Sequence, residues 1–276
     1  MIYLELDFRV EPVYPFSEIL IAELGECGFE SFVEQDSGVL AYILKSNWDA
    51  NSLKDISILQ SPDVTISWTQ KEIQQENWNA AWERNFHPIQ IDGRCVVRAP
   101  FHSSVDAEYD IVIAPKMSFG TGHHQTTYMM LKWILELDLI AKSVLDMGCG
   151  TGVLAILAKM KGAQYVDAID VDTWSYQNAK ENCLRNGCGE IQVHQGDVQL
   201  ILGKKYDAVL ANINRNILLQ DIPRYAQSLN TEGMLLLSGF YKEDLGSVSK
   251  ACQEVGLQFI DNLEKNNWVA ALYRFS

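Results

Sequence analysis

The sequence predicts an α/β protein: a doubly wound, mostly parallel sheet of seven strands, preceded by a small ferredoxin-like α+β domain. From about residue 125 onward, short apolar runs alternate with amphipathic helical segments, which is typical of a parallel sheet covered on both faces. Ahead of them, within residues 1–70, the hydrophobic period follows the order β-α-β-β-α-β. The chain has 276 residues, of which 47% are hydrophobic, so both parts can form a core.

Residues 1–70 form the predicted ferredoxin-like domain. Residues 2–10 alternate apolar and polar, as a half-buried strand does. Pro15 marks the start of an amphipathic helix that ends near Gly25 and Gly28. The remaining predicted elements are two strands around the turn Asp36-Ser37-Gly38, a short helix from Asp49 to about Leu59, and a strand at 64–70.

Residues 71–88 are predicted to be a linker helix. Trp78, Trp82 and Phe86 recur at intervals of four, which places them on one helix face. We interpret this stripe as a packing face that docks the helix onto one of the domains, with base stacking as the alternative.

Residues 89–276 form the third predicted part. Two short strands, 94–100 and 109–115, are expected to pair antiparallel. The main sheet is then predicted from strands at 143–148, 165–170, 191–196, 206–212, 234–239, 257–262 and 268–274, with helices at 125–138, 152–161, 173–187, 215–228 and 242–255. Because ligands of such sheets bind beyond the carboxyl ends of the strands, we expect the chemistry there.

The composition predicts a cytoplasmic protein outside the membrane. The N-terminus carries charges throughout, unlike a signal peptide, and no apolar stretch approaches 18 residues. The six cysteines include no CxxC pair, so we expect reduced thiols rather than disulfides or a zinc site.

The charge predicts a basic partner. The net charge is −14, and residues 1–70 contribute −9 from twelve acids and three bases. Since affinity for nucleic acid comes mainly from Lys and Arg, no direct nucleic-acid partner is expected. A basic protein fits better, because opposite potentials steer encounter. The open alternative is that the acidity only keeps the protein soluble.

A glycine loop gives the strongest local pattern. The run Val144–Gly152 ends a buried strand in the spacing G-x-G-x-G, and Val153 stands where a dinucleotide fingerprint has glycine. Asp170 lies 22 residues after Gly148 at the end of the next strand, where a carboxylate can accept bonds from ribose hydroxyls. Together these features favour a nucleoside ligand.

The loop at residues 118–127 contains the pair His123-His124. No further ligand stands nearby at metal spacing, so no metal site is predicted. We interpret the loop as a lid with Phe119 excluding water, followed by a helix capped by Thr126 or Thr127.

Asn212 ends the fourth parallel strand, after the apolar run AVLA. Its carbonyl oxygen can accept a bond from a substrate amine and orient the nitrogen lone pair, or Asn212 can cap the next helix; both remain open. Asp197, after the third strand, can meet an adenine amino group or serve as a cap.

The chain resembles the PrmA family in five runs: NFHP (85–88), FGTGHHQTT (119–127), VLDMGCGTG (144–152), AIDVD (168–172) and LANI (210–213). Those enzymes methylate a large-subunit ribosomal protein, number eleven of that subunit. The chain departs from the family's usual pattern at Gln125, often Pro, and at Asn214, commonly an apolar residue.

The resemblance implies a methyltransferase sheet and S-adenosyl-L-methionine as cofactor. It implies methylation of lysine or N-terminal amines of a basic ribosomal protein, with residues 1–70 as the substrate-recognition domain. By resemblance, cofactor contacts are expected at Thr127, Gly148, Asp170 and Asn212, and Asn212 is also the catalytic candidate. The alternatives are a nucleic-acid N-methyltransferase and a non-catalytic, cofactor-binding ribosome-assembly factor.

Overall fold

The computed structural model describes residues 2–74, 86–116 and 118–275, and its backbone contacts divide the chain into two compact units. Unit 1 comprises residues 1–85 and unit 2 residues 86–276. Within the described ranges, none of the helices combines the length and the apolar character needed to span a bilayer.

Unit 1 contains a four-stranded antiparallel sheet in the order β2-β3-β1-β4. Its core lies on one face, where α1 buries Leu20 and Leu24 together with Leu6 and Phe8 of β1. As predicted, the helix begins directly after Pro15. The elements are β1 (Ile2–Glu11), α1 (Phe16–Glu26), β2 (Ser31–Gln35), β3 (Gly38–Leu44) and β4 (Thr65–Gln74).

The helix predicted from Asp49 to Leu59 is wrong. This segment contains two short 3₁₀ turns, Ser52–Asp55 and Ser57–Gln60. The Asp49 side chain accepts a bond from the backbone N–H of Asn51 at 2.9 Å, which closes a tight local turn instead of starting an α-helix.

The linker helix predicted over 71–88 is also wrong where the structure describes it. Residues 71–74 continue β4, and residues 86–88 form no helix. Residues 75–85, with Trp78 and Trp82, lie outside the described residues. Phe86 packs within unit 2, where its ring centroid lies 4.4 Å from that of His123.

Unit 2 begins with a three-stranded sheet of β5 (Ile89–Ile91), β6 (Cys95–Arg98) and β7 (Tyr109–Val112). The predicted antiparallel pairing of the last two strands is wrong, since β6 and β7 run parallel. The unpredicted β5 forms the hairpin with β6 instead, through a turn at Asp92-Gly93 with positive φ at both residues. Residues 99–108 then return the chain to the starting end of β6, where Tyr109 lies opposite Cys95. The side chain of Arg98, at the other end of β6, pairs with Asp110 of β7 at 2.6 Å.

The main sheet has seven strands in the order β10-β9-β8-β11-β12-β14-β13, which confirms the predicted mostly parallel sheet. The first five in this order are parallel, and β14 is antiparallel to both of its neighbours. The strands are β8 (Ser143–Met147), β9 (Tyr165–Asp170), β10 (Gln192–Gln195), β11 (Tyr206–Asn212), β12 (Leu229–Tyr241), β13 (Leu257–Lys265) and β14 (Trp268–Phe275).

Helices cover both faces of this sheet, which explains why its central strands are continuous apolar runs. Apolar side chains of α2, α3 and α4 lie in the core on one face, and those of α5 and α6 lie in the core on the other. The helices are α2 (Gln125–Glu136), α3 (Val153–Met160), α4 (Thr173–Arg185), α5 (Arg215–Ser228) and α6 (Leu245–Glu254).

Candidate functional site

A cavity of about 450 Å³ lies at the carboxyl edge of the main sheet, where the strand order reverses between β8 and β11. The ends of β8, β9, β10 and β11 each contribute to its wall. Gly148, Asp170 and Asn212, three of the predicted site residues, line it together. This is the position at which an open α/β sheet binds its ligand. We call it the sheet-edge cavity.

The glycine loop approaches its neighbours so closely that side chains are excluded. Gly148 has φ +70°, and a Cβ there would collide with the Ile213 side chain. Gly150 has φ +54°, and its Cβ would collide with the Phe119 carbonyl oxygen. Both positions therefore require glycine for conformation and for space.

Asp170 is held in one orientation at the cavity wall. One carboxylate oxygen accepts the Gly150 N–H at 2.8 Å, and the other accepts the Asp172 N–H at 3.0 Å. A carboxylate has about four acceptor positions, so two remain for hydroxyl donors. The Asp172 side chain caps α4 by accepting the Ser175 N–H at 2.8 Å, which fixes the turn that carries Asp170.

Asp146 lies fully buried beneath the glycine loop. Its Oδ2 accepts the Ala155 N–H at 3.1 Å, whereas its Oδ1 has no hydrogen-bond partner among the described residues. Burial, reinforced by the nearby Asp170 charge, raises the pKa of Asp146 to about 7 despite the Ala155 bond. Burial also raises the pKa of the neighbouring Cys149 thiol well above its usual value, which keeps it protonated.

The structure distinguishes the two interpretations of Asn212. The cap of α5 is Asn214, whose side chain accepts the Ile217 N–H at 3.2 Å, so Asn212 is not the cap. The Asn212 Nδ2 instead donates to the Thr127 hydroxyl at 3.4 Å. Its Oδ1 is buried and has no partner within the described ranges. Thr127 is buried and is not among the residues that line the cavity. Its contact is with the Asn212 side chain, behind the cavity wall.

The loop from Ser118 to His124 is fastened to the glycine loop. The Thr151 N–H donates to the Phe119 carbonyl at 2.9 Å, and the Thr151 hydroxyl donates to the Gly120 carbonyl at 2.6 Å. This places the half-exposed Phe119 ring at the cavity wall. The α2 cap is His124, which accepts the Thr126 N–H at 3.3 Å, and not a threonine as predicted.

Each of the two histidines of this loop contacts a neighbouring residue. The His123 Nε2 lies 3.1 Å from the His87 carbonyl, and the His124 ring lies 4.8 Å from the Trp268 ring. Among the described residues, no three His, Cys, Asp or Glu side chains are placed to share a metal ion.

Of the remaining cavity wall, the sequence predicted Asp197 but not the residues of α5. Asp197 lines the cavity and also accepts the Gln199 N–H at 2.9 Å, so it caps a short 3₁₀ turn as well. The unpredicted wall is one face of α5, which carries Ile217, Gln220, Asp221 and Arg224. Their spacing of three and four could have identified a shared face, but a mixed polar helix face is usually solvated.

A family model described as ribosomal protein L11 methyltransferase (PrmA) matches residues 21–275. The chain belongs to this family. The ribosomal protein L11 methyltransferase of Bacteroides fragilis is 45% identical to it, over 99% of each chain. That of Phocaeicola vulgatus is 44% identical, also over 99% of each chain. The crystal structure of ribosomal protein L11 methylase from Lactobacillus delbrueckii subsp. bulgaricus has 27% identity and a TM-score of 0.64, covering 69% of this chain and all of that one.

The predicted family and activity are thereby confirmed. The chain is an S-adenosylmethionine-dependent protein methyltransferase of the PrmA family, built on the methyltransferase sheet that its sequence predicts.

Proposed function

We propose that this chain transfers a methyl group from S-adenosyl-L-methionine to a lysine or N-terminal amine of ribosomal protein L11, with Asn212 orienting the amine. The observation that carries this proposal is the Asn212 amide. Because its Nδ2 donates to Thr127, its Oδ1 remains an acceptor, and that buried oxygen has no partner among the described residues. An acceptor in this position suits an incoming N–H donor.

The proposed cofactor contacts follow from the chemistry of the wall. Asp170 has acceptor positions left for the two ribose hydroxyls, and Gly148 lets the backbone approach the ligand without a Cβ. Val171, Val198 and Ile217 supply apolar surface for a nucleobase. The cofactor supplies an electrophilic methyl group on a sulfonium sulfur.

The amine must lose its proton before it can attack. For a lysine at neutral pH this costs roughly 3 pK units, on the order of 4–5 kcal/mol. Among the described residues that line the cavity there is no histidine or lysine to take the proton. We therefore propose that the amine releases its proton to solvent as it enters the cavity, because desolvation beside the apolar wall and Phe119 favours the neutral form. We assign the rate to orientation of the neutral amine by Asn212.

Unit 1 is proposed as a ferredoxin-like recognition domain that docks the basic substrate, and residues 89–276 are proposed as the catalytic domain. Residues 71–74 belong to β4 and so to the recognition domain, not to the linker predicted over 71–88. The support for the recognition domain is its strand order β2-β3-β1-β4, antiparallel throughout, and the net charge of −9 over residues 1–70. Such a surface attracts a basic protein rather than nucleic acid. A cytoplasmic location is part of the same proposal.

The test is label transfer by the full chain. Purified protein is incubated with methyl-labelled cofactor, ribosomal protein L11 and, separately, ribosomal RNA, and the labelled residue is identified by mass. We expect label on amines of L11 alone. Label on RNA would favour the nucleic-acid alternative, and cofactor binding without any transfer would favour the assembly-factor alternative.

A further inference from the structure

Four aromatic rings form a continuous row that leads away from the sheet-edge cavity. Phe119 lies in the cavity wall, and the centroid of its ring is 5.1 Å from that of His124. The His124 ring lies 4.8 Å from that of Trp268, and the Tyr241 ring packs on Trp268 at 4.0 Å. Phe119 and Tyr241 are 53% and 42% exposed, so both ends of the row face solvent. We call these four residues the aromatic row.

The aromatic row lies on the side of Asn212 opposite to the proposed cofactor contacts. The central strands run in the order β9-β8-β11-β12-β14, and Asn212 ends β11. The proposed contacts Gly148 and Asp170 belong to the ends of β8 and β9. Tyr241 ends β12 and Trp268 begins β14, so both lie beyond β11 in the other direction.

The register of the sheet places Trp268 near the proposed amine site. Asn212 lies opposite Ser238 of β12, which lies opposite Ala270 of β14. Trp268 is therefore two strand spacings, about 10 Å, to the side of Asn212 and two residues, about 7 Å, further toward the carboxyl edge. A lysine has a flexible four-carbon stem that can bridge such a gap when its backbone lies near Trp268.

The geometry of methyl transfer requires the amine to approach from this side. The nitrogen lone pair forms the new N–C bond on the face of the methyl carbon opposite to the sulfur, while the C–S bond breaks and its electron pair goes to the sulfur. The cofactor is proposed to be held from β8 and β9. The amine then reaches Asn212 from the side of β12 and β14, where the aromatic row lies.

An aromatic surface suits a side chain that carries an amine. The methylenes of a lysine pack on ring faces, and its ammonium group is attracted by the electrons of the ring. The protein forms such a pair beside the row, since Lys265 lies opposite Trp268 and its Nζ is 3.8 Å from the centroid of the Tyr128 ring. Burial lowers the pKa of the His124 imidazole, so this ring is uncharged at neutral pH and does not repel an ammonium group.

We propose that the aromatic row binds the lysine-bearing segment of the substrate and guides its side chain to Asn212, with Trp268 as a specificity-determining residue. The inference rests on the proposed function. It names the surface over which the substrate amine enters the sheet-edge cavity.

The test compares two tryptophans on opposite sides of Asn212. Trp174 is 65% exposed and lies three residues after Val171 of the cavity wall, on the β9 side. We expect Trp268→Leu to lower kcat/KM for methylation of ribosomal protein L11 by the full chain about tenfold, because the ring contacts are lost. Trp268→Phe keeps a ring and should stay within about threefold of wild type. Trp174→Leu should stay within about twofold.

Titration calorimetry with S-adenosylhomocysteine separates a substrate role from damage to the cavity. Neither tryptophan is among the described residues that line the cavity, so the dissociation constant should change less than about twofold in each variant. A loss of cofactor affinity in Trp268→Leu that equals its loss of kcat/KM would overturn the inference, because Trp268 would then only support the cavity. An unchanged kcat/KM in Trp268→Leu, or a larger loss in Trp174→Leu, would also overturn it while leaving the proposed function intact. Failure of wild type to methylate L11 would overturn both.

Discussion

Buried carboxylates at the two edges of the main sheet differ in their hydrogen-bond donors and in the direction of their pKa shifts. At the carboxyl edge, Asp146 has one backbone donor and an unpaired Oδ1, and its pKa rises to about 7 because of burial. Toward the amino edge, Asp167 is equally buried but accepts bonds from Tyr165 at 2.8 Å, Tyr206 at 2.5 Å and Lys204 at 2.9 Å. Burial alone would raise the pKa of Asp167, but these donors outweigh it and lower that pKa.

This difference separates acids with several hydrogen-bond donors from acids with few on one sheet. Asp207, near the start of β11, repeats the structural pattern, with bonds from the Ser143 N–H at 2.8 Å and the Asn230 amide at 2.9 Å. At the carboxyl edge, Asp146 and Asn212 each keep an acceptor without a described partner. A folded protein normally satisfies its buried polar groups, so the unsatisfied oxygen of Asn212, which lines the cavity, indicates a ligand site. Asp146 lies beneath the glycine loop and is not among the residues that line the cavity.

The sharpest test of this contrast is Asp167→Ala. It strips the counter-charge from Lys204 and leaves the buried Tyr206 hydroxyl without an acceptor, so we expect a loss of about 4 kcal/mol in the free energy of unfolding. Urea unfolding of the full chain measures it, with the exposed Asp106→Ala as the control expected to lie within about 0.5 kcal/mol of wild type. A loss under about 1 kcal/mol would mean that this network is not structural.

The next largest effect is the pH dependence due to Asp146. Because its folded pKa of about 7 lies above the ordinary value of 3.8, the folded state binds more protons between these values, and its stability falls as the pH rises through them. Asp146→Asn mimics the protonated form and removes this penalty, which amounts to up to about 4 kcal/mol. In urea unfolding, the free energy of unfolding of the variant should therefore rise relative to that of wild type from pH 4 to pH 8. A difference independent of pH would contradict a raised pKa.

At the functional edge, Asn212→Ala should reduce kcat for methyl transfer to L11 about 100-fold, because the amine loses its orienting acceptor. The dissociation constant of S-adenosylhomocysteine should change less than about fivefold, since most cofactor contacts remain. The matched control is Asn214→Asp, which preserves the α5 cap and should keep kcat. Equal turnover of a folded Asn212→Ala variant would exclude the positioning role.

The smallest expected effect is that of Asp170→Asn. The amide oxygen can still accept the Gly150 N–H, whereas the amide nitrogen cannot accept the Asp172 N–H, and the ribose loses a charged acceptor. We expect cofactor affinity to fall about tenfold, with kcat at saturating cofactor unchanged. Calorimetry measures the cofactor affinity, and saturation kinetics measures kcat. A fall in kcat alone would mean that Asp170 acts in the chemical step rather than in cofactor binding.

Local patterns predicted most of the catalytic unit. The period of the apolar runs located the seven strands, because a strand buried on both faces needs continuous apolar side chains. The spacing of Gly148 and Asp170 indicated a nucleoside site, since a tight turn and a strand-end carboxylate are local requirements. The predicted pairing of β6 with β7 was wrong because long-range packing decides it: β7 runs parallel to β6 because β5 already forms the hairpin with β6. The helix predicted at 49–59 was wrong for a local reason, the turn closed by Asp49.

The sequence by itself determined which residue types stand at the ends of the strands and where the backbone must turn. Only the tertiary structure decided what those residues do. It assigned the α5 cap to Asn214 and left the Asn212 Oδ1 without a partner among the residues it describes. It also brought Asp221 of α5 and Asp197 into the wall of one cavity. The physical reason is that burial and hydrogen-bond partners depend on which elements, distant in sequence, pack together. A pattern within one segment contains no information about that packing.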